Sequence, residues 1–254
     1  MPEIENASGF ESLNEYSTLT FDCYGTLIDW ESGIWDALQP LYLANGFDLP
    51  RQQSLQVYAK IESAQQAQTP DMLYPELLEA VHETLAVRLD LKTNDALNKA
   101  FGQSLPHWPA FPDTADALRM LKQRYNLVIL SNVSRDGFAA SNKKLGVEFD
   151  AIYTAQDVGS YKPNPSNFEY MLNRLHEDHG VGPDKILHTA QSLFHDHVPA
   201  GAAGLATCWI DRQNLANSED WGATAHVENR PNTDYRFMTM MEMALAVSAT
   251  SADS

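Results

Sequence analysis

The spacing of hydrophobic and polar positions changes along the chain. Residues 17–22 form a short run of β-branched and aromatic residues closed by Gly25, which is typical of a buried strand. Apolar residues then recur at helical spacing from about residue 31 to 110, and we expect no strand before residue 126. Three helical faces carry this spacing: Ile34, Leu38, Leu41 and Leu43; Leu55, Tyr58, Ile61 and Ala64; and Leu77, Leu78, Val81, Leu85 and Leu89. The first strand is therefore followed by a long helical segment.

Strands and helices alternate in the second half of the chain. Continuous apolar runs predict strands at 127–130, 151–154, 186–190 and 206–210, with a weaker one at 225–227. Helical patterns lie between and after them, near 135–145, 165–178, 196–203 and 234–247. Continuous apolar strands separated by helices indicate a parallel sheet that is covered on both faces.

A proline-rich connector joins the two halves. Residues 106–113 contain three prolines, and we expect Asp113 to cap the helix that follows. The predicted fold class is α/β, with a Rossmannoid three-layer core around a parallel sheet and an inserted helical cap subdomain. We assign residues 1–30 and 111–254 to the core and residues 31–110 to the cap.

Composition narrows the class of protein. Of 254 residues, 34 are acidic and 17 are basic, so the formal net charge is −17 and no basic stripe is present to bind nucleic acid. The two cysteines, Cys23 and Cys208, make no disulfide framework. The first residues lack the features of a signal peptide, and no run approaches 18 apolar residues. We therefore expect a cytoplasmic protein that acts on a small molecule, without nucleic-acid or membrane partners.

Chemically capable residues stand at the carboxyl ends of the predicted strands. Asp22 ends the first strand, and Ser131 and Asn132 end the second. Lys162 follows the third strand and Asp196 follows the fourth. Open parallel sheets bind their ligands beyond these ends. We therefore expect two carboxylates, a lysine and several hydroxyl groups to meet in one crevice.

Four segments resemble the motifs of the haloacid dehalogenase superfamily, in the same order and spacing, over about residues 17 to 212. They are FDCYGTLIDW, LSNVS, YKPNP and the segment around Asp196. Within the superfamily, Asp-x-Tyr-Gly-Thr-Leu is similar to the L-2-haloacid dehalogenase (type II) branch. The resemblance implies that Asp22 attacks a saturated carbon, forms an aspartyl ester and is freed again by water.

The resemblance also implies roles for the neighbouring residues. It gives catalytic roles to Asp22, Lys162, Asp196, Thr26, Ser131 and Asn132. Lys162 would favour the charged form of Asp22, while Asp196 would either orient Lys162 or activate the water. We expect the substrate to contact Tyr24, Ser131, Asn132, Lys60, Phe168 and Ser192. Lys60 stands near the place of an arginine in the dehalogenases, and Phe168 stands in the place of a tyrosine.

Two positions distinguish this chain from the phosphatases of the superfamily. Tyr24 occupies the place of their second aspartate, and Gln191 occupies the place of an acidic residue in the fourth motif. A tyrosine, with an ordinary pKa of about 10, is poorly suited to protonate a leaving alcohol, and Mg²⁺ prefers several carboxylate oxygens. His195 and His197 have no third ligand near them in the sequence. We therefore predict that no metal and no cofactor is needed.

The leading hypothesis is an (S)-2-haloacid dehalogenase, or a related hydrolase of small 2-substituted carboxylic acids. Three alternatives stay open: a hydrolase that opens a strained ring such as azetidine-2-carboxylate, a Mg²⁺-dependent phosphatase, and a catalytically degenerate binding protein. Proteins with these motifs are often homodimers, so a homodimer is a further expectation.

Overall fold

Six parallel strands form the central sheet of the protein, which a computed structural model describes for residues 10–218 and 221–250. In chain order they are β1 (Thr18–Phe21), β2 (Asn126–Ser131), β3 (Ala151–Thr154), β4 (Ile186–Ala190), β5 (Ala206–Ile210) and β6 (Tyr235–Phe237). Across the sheet the order is β3-β2-β1-β4-β5-β6. Phe21 pairs with Ile129 on one side and with Thr189 on the other, so the carboxyl ends of the three central strands lie at one edge.

Helices connect and follow these strands. Four lie between β1 and β2: α1 (Trp30–Asn45), α2 (Arg51–Gln68), α3 (Tyr74–Arg88) and α4 (Asp95–Gly102). The others are α5 (Thr114–Leu121), α6 (Arg135–Leu145), α7 (Ala155–Val158), α8 (Ser166–His179), α9 (Val198–Ala202) and α10 (Met240–Ala249). Short 3-10 turns cover Glu11–Glu15, Leu105–His107, Pro183–Lys185 and Leu215–Asn217, and a π-helical turn covers Leu193–His197. Among the helices of the described residues, none reaches the length and hydrophobicity that a membrane span needs.

Both faces of the sheet are covered. Alternate residues of β2 belong to different hydrophobic clusters: Leu127 and Ile129 to the larger one, Val128 and Leu130 to a second one that also holds Phe168. Neighbouring residues of a strand point to opposite faces, so the two clusters lie on opposite sides of the sheet. This arrangement confirms the predicted α/β class and explains the continuous apolar run of β2.

Helices α1–α4, which we call the helical cap, form one unit between β1 and β2. α2 packs on α3, α3 packs on α4, and α1 contacts both α2 and α4. The segments that enter and leave the cap run side by side, because Ile28 and Ala110 form an isolated antiparallel bridge. Next to it, the Asp29 N–H donates to the Pro109 carbonyl at 2.8 Å. Helices α1–α3 lie where their spacing predicted, and the residue limits of core and cap stay a prediction.

One strand predicted in the second half is wrong. Residues 225–227 form no strand, because Val227 is buried in a loop against Trp209 and Leu215. The sixth strand is β6, whose two outer residues are buried while the middle one is exposed. The helix predicted near 196–203 is α9, which begins slightly later because a π-helical turn precedes it.

Helix capping also differs from expectation. Asp113 precedes α5, but its carboxylate accepts hydrogen bonds from Arg212 and from the Met241 N–H, and not from its own helix. Helix α10 begins at Met240, later than predicted, where the Thr239 hydroxyl caps it. Asp113 therefore ties α5 to the carboxyl-terminal part of the chain.

Gly33 marks a close approach between α1 and the proline-rich connector. A β-carbon at this position would lie 2.2 Å from Cγ of Trp108, whose side chain is buried. Because real β-carbons do not come so close, we expect Gly33→Ala to lower the free energy of unfolding by about 1–3 kcal/mol, the usual cost of overpacking. Urea denaturation followed by circular dichroism measures this change.

Gly201→Ala is the matched control for this substitution. Gly201 lies in α9, and a β-carbon there would meet no atom within 4 Å. Alanine favours helix more than glycine, so this substitution should leave stability unchanged or raise it by up to about 1 kcal/mol. Equal effects of the two substitutions would contradict the steric explanation.

Candidate active site

Asp22, Lys162 and Asp196 form one buried cluster at the carboxyl edge of the sheet. Lys162 Nζ lies 2.9 Å from Asp22 Oδ1 and 2.6 Å from Asp196 Oδ1. The side chains of Lys162 and Asp196 are each 1% exposed, whereas that of Asp22 is 9% exposed. One ammonium group therefore holds two carboxylates, of which Asp22 is the more accessible.

Hydrogen bonds to the end of β2 position Lys162. Its main-chain N–H donates to Asn132 Oδ1 at 2.7 Å, and Asn132 Nδ2 donates to the Lys162 carbonyl at 3.0 Å. The Lys162 ammonium also donates to the Leu130 carbonyl at 2.8 Å. With two carboxylates and this carbonyl, all three ammonium protons have acceptors. The lysine is therefore fixed in position and has no spare proton for a further ligand.

Thr26 orients Asp22 from the other side. Its hydroxyl donates to Asp22 Oδ2 at 2.8 Å and accepts from the Gln191 N–H at 2.9 Å. The turn between Asp22 and Thr26 passes through Gly25 at φ 99°, a region that favours glycine. Both oxygens of Asp22 thus have a donor, one an ammonium and the other a hydroxyl.

A histidine that sequence reasoning missed supports Asp196. His188 Nε2 lies 3.1 Å from Asp196 Oδ1, and His188 Nδ1 lies 2.9 Å from the Thr20 hydroxyl. A neutral imidazole that donates from Nε2 and accepts at Nδ1 satisfies both contacts. Asp196 Oδ2 is buried with no hydrogen-bond partner among the described residues. This second oxygen is therefore available to a water molecule or a ligand.

Burial and charge act in opposite directions on the cluster. Burial, together with the Asp196 carboxylate, raises the pKa of Asp22 above its ordinary value in spite of Lys162. Burial also acts to raise the pKa of Asp196, but Lys162 and His188 hold that pKa well below normal. The pKa of Lys162 is raised, because the two carboxylates outweigh the effect of burial. Asp22 is therefore the member of the cluster that acid neutralises first.

A cavity of about 450 Å³ lies between this cluster and the helical cap. The sheet edge contributes Asp22, Tyr24, Asn132, Val133, Lys162, Gln191, Ser192, His195 and Asp196. The cap and its connectors contribute Trp30, Gln56, Ala59, Lys60, Glu62, Ser63, Gln66, Tyr74 and Trp108, and residues 223–226 complete the wall. Such a volume suits a small organic molecule.

Most of the residues predicted for the site meet at this cavity. Those that line it are Asp22, Tyr24, Lys60, Asn132, Lys162, Ser192 and Asp196. Thr26 lies behind Asp22 as its hydrogen-bond donor. Ser131 does not border the cavity, and its buried hydroxyl has no partner among the described residues. Its predicted contact with the substrate is therefore not supported.

Phe168 lies away from the place expected for it. Its side chain is 1% exposed and packs edge-on against the His188 ring, with ring centroids 5.0 Å apart. Helix α8, which carries Phe168, covers a face of the sheet and not its carboxyl edge. The prediction that Phe168 contacts substrate is corrected on this ground.

Sequence reasoning also missed Glu62, a cap residue that lines the cavity. Glu62 Oε1 accepts a hydrogen bond from the Tyr58 hydroxyl at 2.9 Å and from the Tyr74 hydroxyl at 2.6 Å. Tyr58 and Glu62 are four residues apart, a spacing that places them on one side of α2. That spacing was the available signal, but it does not tell which side of α2 meets the sheet edge.

The oxygen donors at the sheet edge fit an ammonium better than Mg²⁺. Asp22 Oδ1 and Asp196 Oδ1 both contact Lys162, and Tyr24 and Gln191 supply no carboxylate. Mg²⁺ demands near-octahedral coordination by oxygen, and Asp196 Oδ2 is the carboxylate oxygen left without a donor in this part of the described chain. Residues 10–218 and 221–250 contain no group of three or more His, Cys, Asp or Glu side chains arranged for a metal ion.

His197 makes the stability of this region sensitive to acid. Burial lowers its pKa to about 4, although a contact of 2.9 Å between Nε2 and the Ala190 carbonyl opposes the shift. A histidine in an unfolded chain titrates near about 6.5, so the unfolded state binds more protons between these pH values. The free energy of unfolding should therefore fall as pH drops from about 6.5 to 4. His197→Gln should flatten this decline in thermal unfolding scans.

Other titratable groups also contribute to the pH dependence of stability, so the prediction for His197 needs a control. Burial also lowers the pKa of His195 to about 4, so His195 adds a decline of the same sign. Asp22 acts with the opposite sign, because its pKa is raised in the folded state. His179→Gln changes an exposed histidine and should leave the decline as it is. An unaltered pH dependence in His197→Gln would contradict the assignment.

Comparison with known proteins places this chain in a family. A sequence model described as haloacid dehalogenase-like hydrolase matches residues 16–189. The chain belongs to this family of hydrolases. Among its relatives, an (S)-2-haloacid dehalogenase of Pseudomonas putida is 27% identical over 217 residues, which cover 82% of this chain and 90% of the relative. An (S)-2-haloacid dehalogenase of Pseudomonas fluorescens is 27% identical over 215 residues, 82% of this chain and 89% of the relative.

A solved structure shows the same fold. The L-2-haloacid dehalogenase from Xanthobacter autotrophicus superimposes with a TM-score of 0.75 at 18% identity, over 92% of this chain and 98% of that one. At this identity the likeness concerns the fold.

Proposed function

We propose that the protein hydrolyses a small 2-substituted carboxylic acid, most simply an (S)-2-haloacid, with Asp22 as the nucleophile. The observation that carries the proposal is the 2.9 Å contact between Asp22 and the buried Lys162 ammonium at the wall of the cavity. Relatives named (S)-2-haloacid dehalogenase support the substrate class.

In the first step, a carboxylate oxygen of Asp22 forms a bond to C2 of the substrate. The carbon–halogen bond breaks and the halide leaves with its electron pair, so the configuration at C2 inverts. Lys162 and Thr26 hold the carboxylate in place. This fixed geometry lowers the entropy cost of bringing the two reacting groups together. The product of this step is an ester between Asp22 and the substrate.

In the second step, water attacks the carbonyl carbon of the Asp22 ester. The bond from this carbon to the ester oxygen breaks, one proton passes to the departing alkoxide and one reaches solvent. Asp196 lines the cavity, and its Oδ2 has no partner among the described residues. We assign to this oxygen the role of binding the attacking water. His188 holds the other oxygen of Asp196 and thereby fixes the direction of Oδ2. The 2-hydroxy acid leaves and Asp22 is restored.

The phosphatase alternative lacks its proton donor. A leaving alcohol needs an acid with a pKa near neutrality, but Tyr24 takes the position two residues after the nucleophile, and burial raises the pKa of its phenol well above normal. The Tyr24 hydroxyl is moreover engaged with Ser141 Oγ at 2.8 Å. A halide needs no such acid, which favours carbon–halogen cleavage at this site.

The test is a substrate panel followed by an isotope experiment. The panel comprises (S)- and (R)-2-chloropropionate, azetidine-2-carboxylate and a phosphomonoester, each with and without a chelator. We expect halide release from the (S) enantiomer that chelator leaves unchanged. A single turnover in heavy-oxygen water should then place the label in Asp22, detected by peptide mass spectrometry.

Different results of this test point to different chemistry. Phosphate release that chelator abolishes would replace the proposal by a Mg²⁺-dependent phosphatase. Label found only in the hydroxy acid, with Asp22 unlabelled, would mean that water attacks C2 directly and would overturn the covalent mechanism.

A further inference from the structure

The cap side of the cavity carries an acidic group that the proposed reaction does not use. Glu62 lines the cavity from α2, together with the polar side chains Gln56, Lys60, Ser63 and Gln66. Two buried phenols, Tyr58 and Tyr74, donate to Glu62 Oε1 and hold this oxygen in position. Its other oxygen receives no hydrogen bond from the residues that the structure describes.

Glu62 has no cationic partner of its own. No ion pair reaches its carboxyl group within residues 10–218 and 221–250. Burial raises its pKa, while the two phenols act to lower it. An enclosed carboxylate without a counter-ion is costly, and a positive group brought by a ligand would remove this cost.

The aromatic side chains that line the cavity suit the same kind of ligand group. Tyr24, Trp30, Tyr74 and Trp108 all line the cavity. Aromatic faces attract ammonium groups, most strongly when water is excluded. A carboxylate in a cavity that aromatic rings line is therefore a favourable place for a basic nitrogen.

Two lysines line the cavity, and only one of them can bind a negatively charged group of a substrate. Lys162 is occupied by Asp22, Asp196 and the Leu130 carbonyl. Lys60 is the other lysine of the lining, and no ion pair engages it among the described residues. Lys60 can meet a substrate carboxylate while Glu62 meets a cation, so the cavity is complementary to a molecule that carries both charges.

We infer that the substrate is a small zwitterion, a carboxylic acid that also carries a basic nitrogen, and that Glu62 binds this nitrogen. The inference rests on the proposed function for the reacting carbon, and it adds a recognition group on the cap. Glu62 contributes to binding and selectivity and takes no part in the bond-breaking steps. Simple haloacids, which lack the nitrogen, leave Glu62 unpaired and bind less well.

The test measures binding of ligands that cannot react. Calorimetry compares butyrate with 2-, 3- and 4-aminobutyrate, which keep the carboxylate and differ in the position of the nitrogen. For the unaltered protein we expect at least one aminobutyrate to bind about tenfold or more tightly than butyrate, the range for a hydrogen bond to a charged group. In Glu62→Gln, which keeps an acceptor for Tyr58 and Tyr74, the ratio should fall to within about twofold of one.

Two further variants keep the result interpretable. Glu83→Gln makes the same change on an exposed residue of α3 and should preserve the ratio. Lys60→Met should weaken butyrate and the aminobutyrates alike, which leaves the ratio unchanged. Butyrate binding as tightly as all three aminobutyrates, or a ratio that survives Glu62→Gln, would overturn the inference. These ligands have no leaving group, so their binding does not depend on the reaction. If the unaltered protein prefers an aminobutyrate, Glu62→Gln loses this preference and Asp22 stays unlabelled in the isotope experiment, the proposed function alone is overturned.

Discussion

Asp22→Asn should reduce turnover of the best substrate by about 10⁴-fold or more, the loss expected when a nucleophile is removed. The amide has nearly the shape of the carboxylate: its oxygen can still accept from the Lys162 ammonium and its NH2 group can donate to the Thr26 hydroxyl, but it does not displace a leaving group from carbon. Halide release measures the loss, and intact-protein mass spectrometry should show no ester on the variant. Binding of an unreactive ligand should be retained.

Asp48→Asn is the control, because it makes the same substitution at an exposed residue and should leave turnover unaltered. If Asp22→Asn kept most of the activity while its folding was intact, the nucleophile would have to be another group. If neither form showed activity on any member of the panel, a binding protein would be the better description.

Lys162→Met should abolish activity and also destabilise the fold. The substitution leaves Asp22 and Asp196 close together in a buried place without their shared cation. Removing one partner from such a buried cluster costs about 3–5 kcal/mol. Urea denaturation at neutral pH measures this loss, and Lys143→Met, which alters an exposed lysine of α6, is the control.

The pH dependence of Lys162→Met separates loss of charge from loss of packing. Without the ammonium, the pKa of each carboxylate should lie above its value in the unfolded chain. A group with a raised pKa contributes stability below its unfolded pKa and loses that contribution as pH rises through the folded pKa. The deficit of the variant should therefore grow from pH 4 to pH 7. A deficit that is the same at both pH values would indicate that the methylene chain of Lys162 matters and its charge does not.

Sequence reasoning located the sheet and the central cluster because both follow from short-range rules. Continuous apolar runs indicated five of the six strands, and the carboxyl ends of parallel strands meet at one edge. Asp22, Lys162 and Asp196 lie far apart in the sequence, and the topology alone is sufficient to bring them together. The order of the four motifs then identified the family.

The features that sequence reasoning did not find depend on long-range packing. The apolar run at 225–227 covers Trp209 from a loop, and such a contact has no periodicity to read. Asp113 has the composition of a helix cap, but Arg212 approaches from a distant loop and takes its carboxylate. Glu62 reaches the site because the cap lies over the sheet edge, and the spacing within α2 does not encode that orientation. His188 resembles any buried strand residue until Asp196 is placed beside it.

Sharing one lysine between two aspartates gives the active site a different charge in each half of the proposed cycle. Before reaction, the three side chains carry one net negative charge, which disfavours inhibitory anions near Asp22. Once Asp22 is esterified, Lys162 and Asp196 balance each other and the repulsion disappears. Halide and other small anions should therefore inhibit by binding to the esterified enzyme in preference to the free one, which appears as an uncompetitive component in product inhibition.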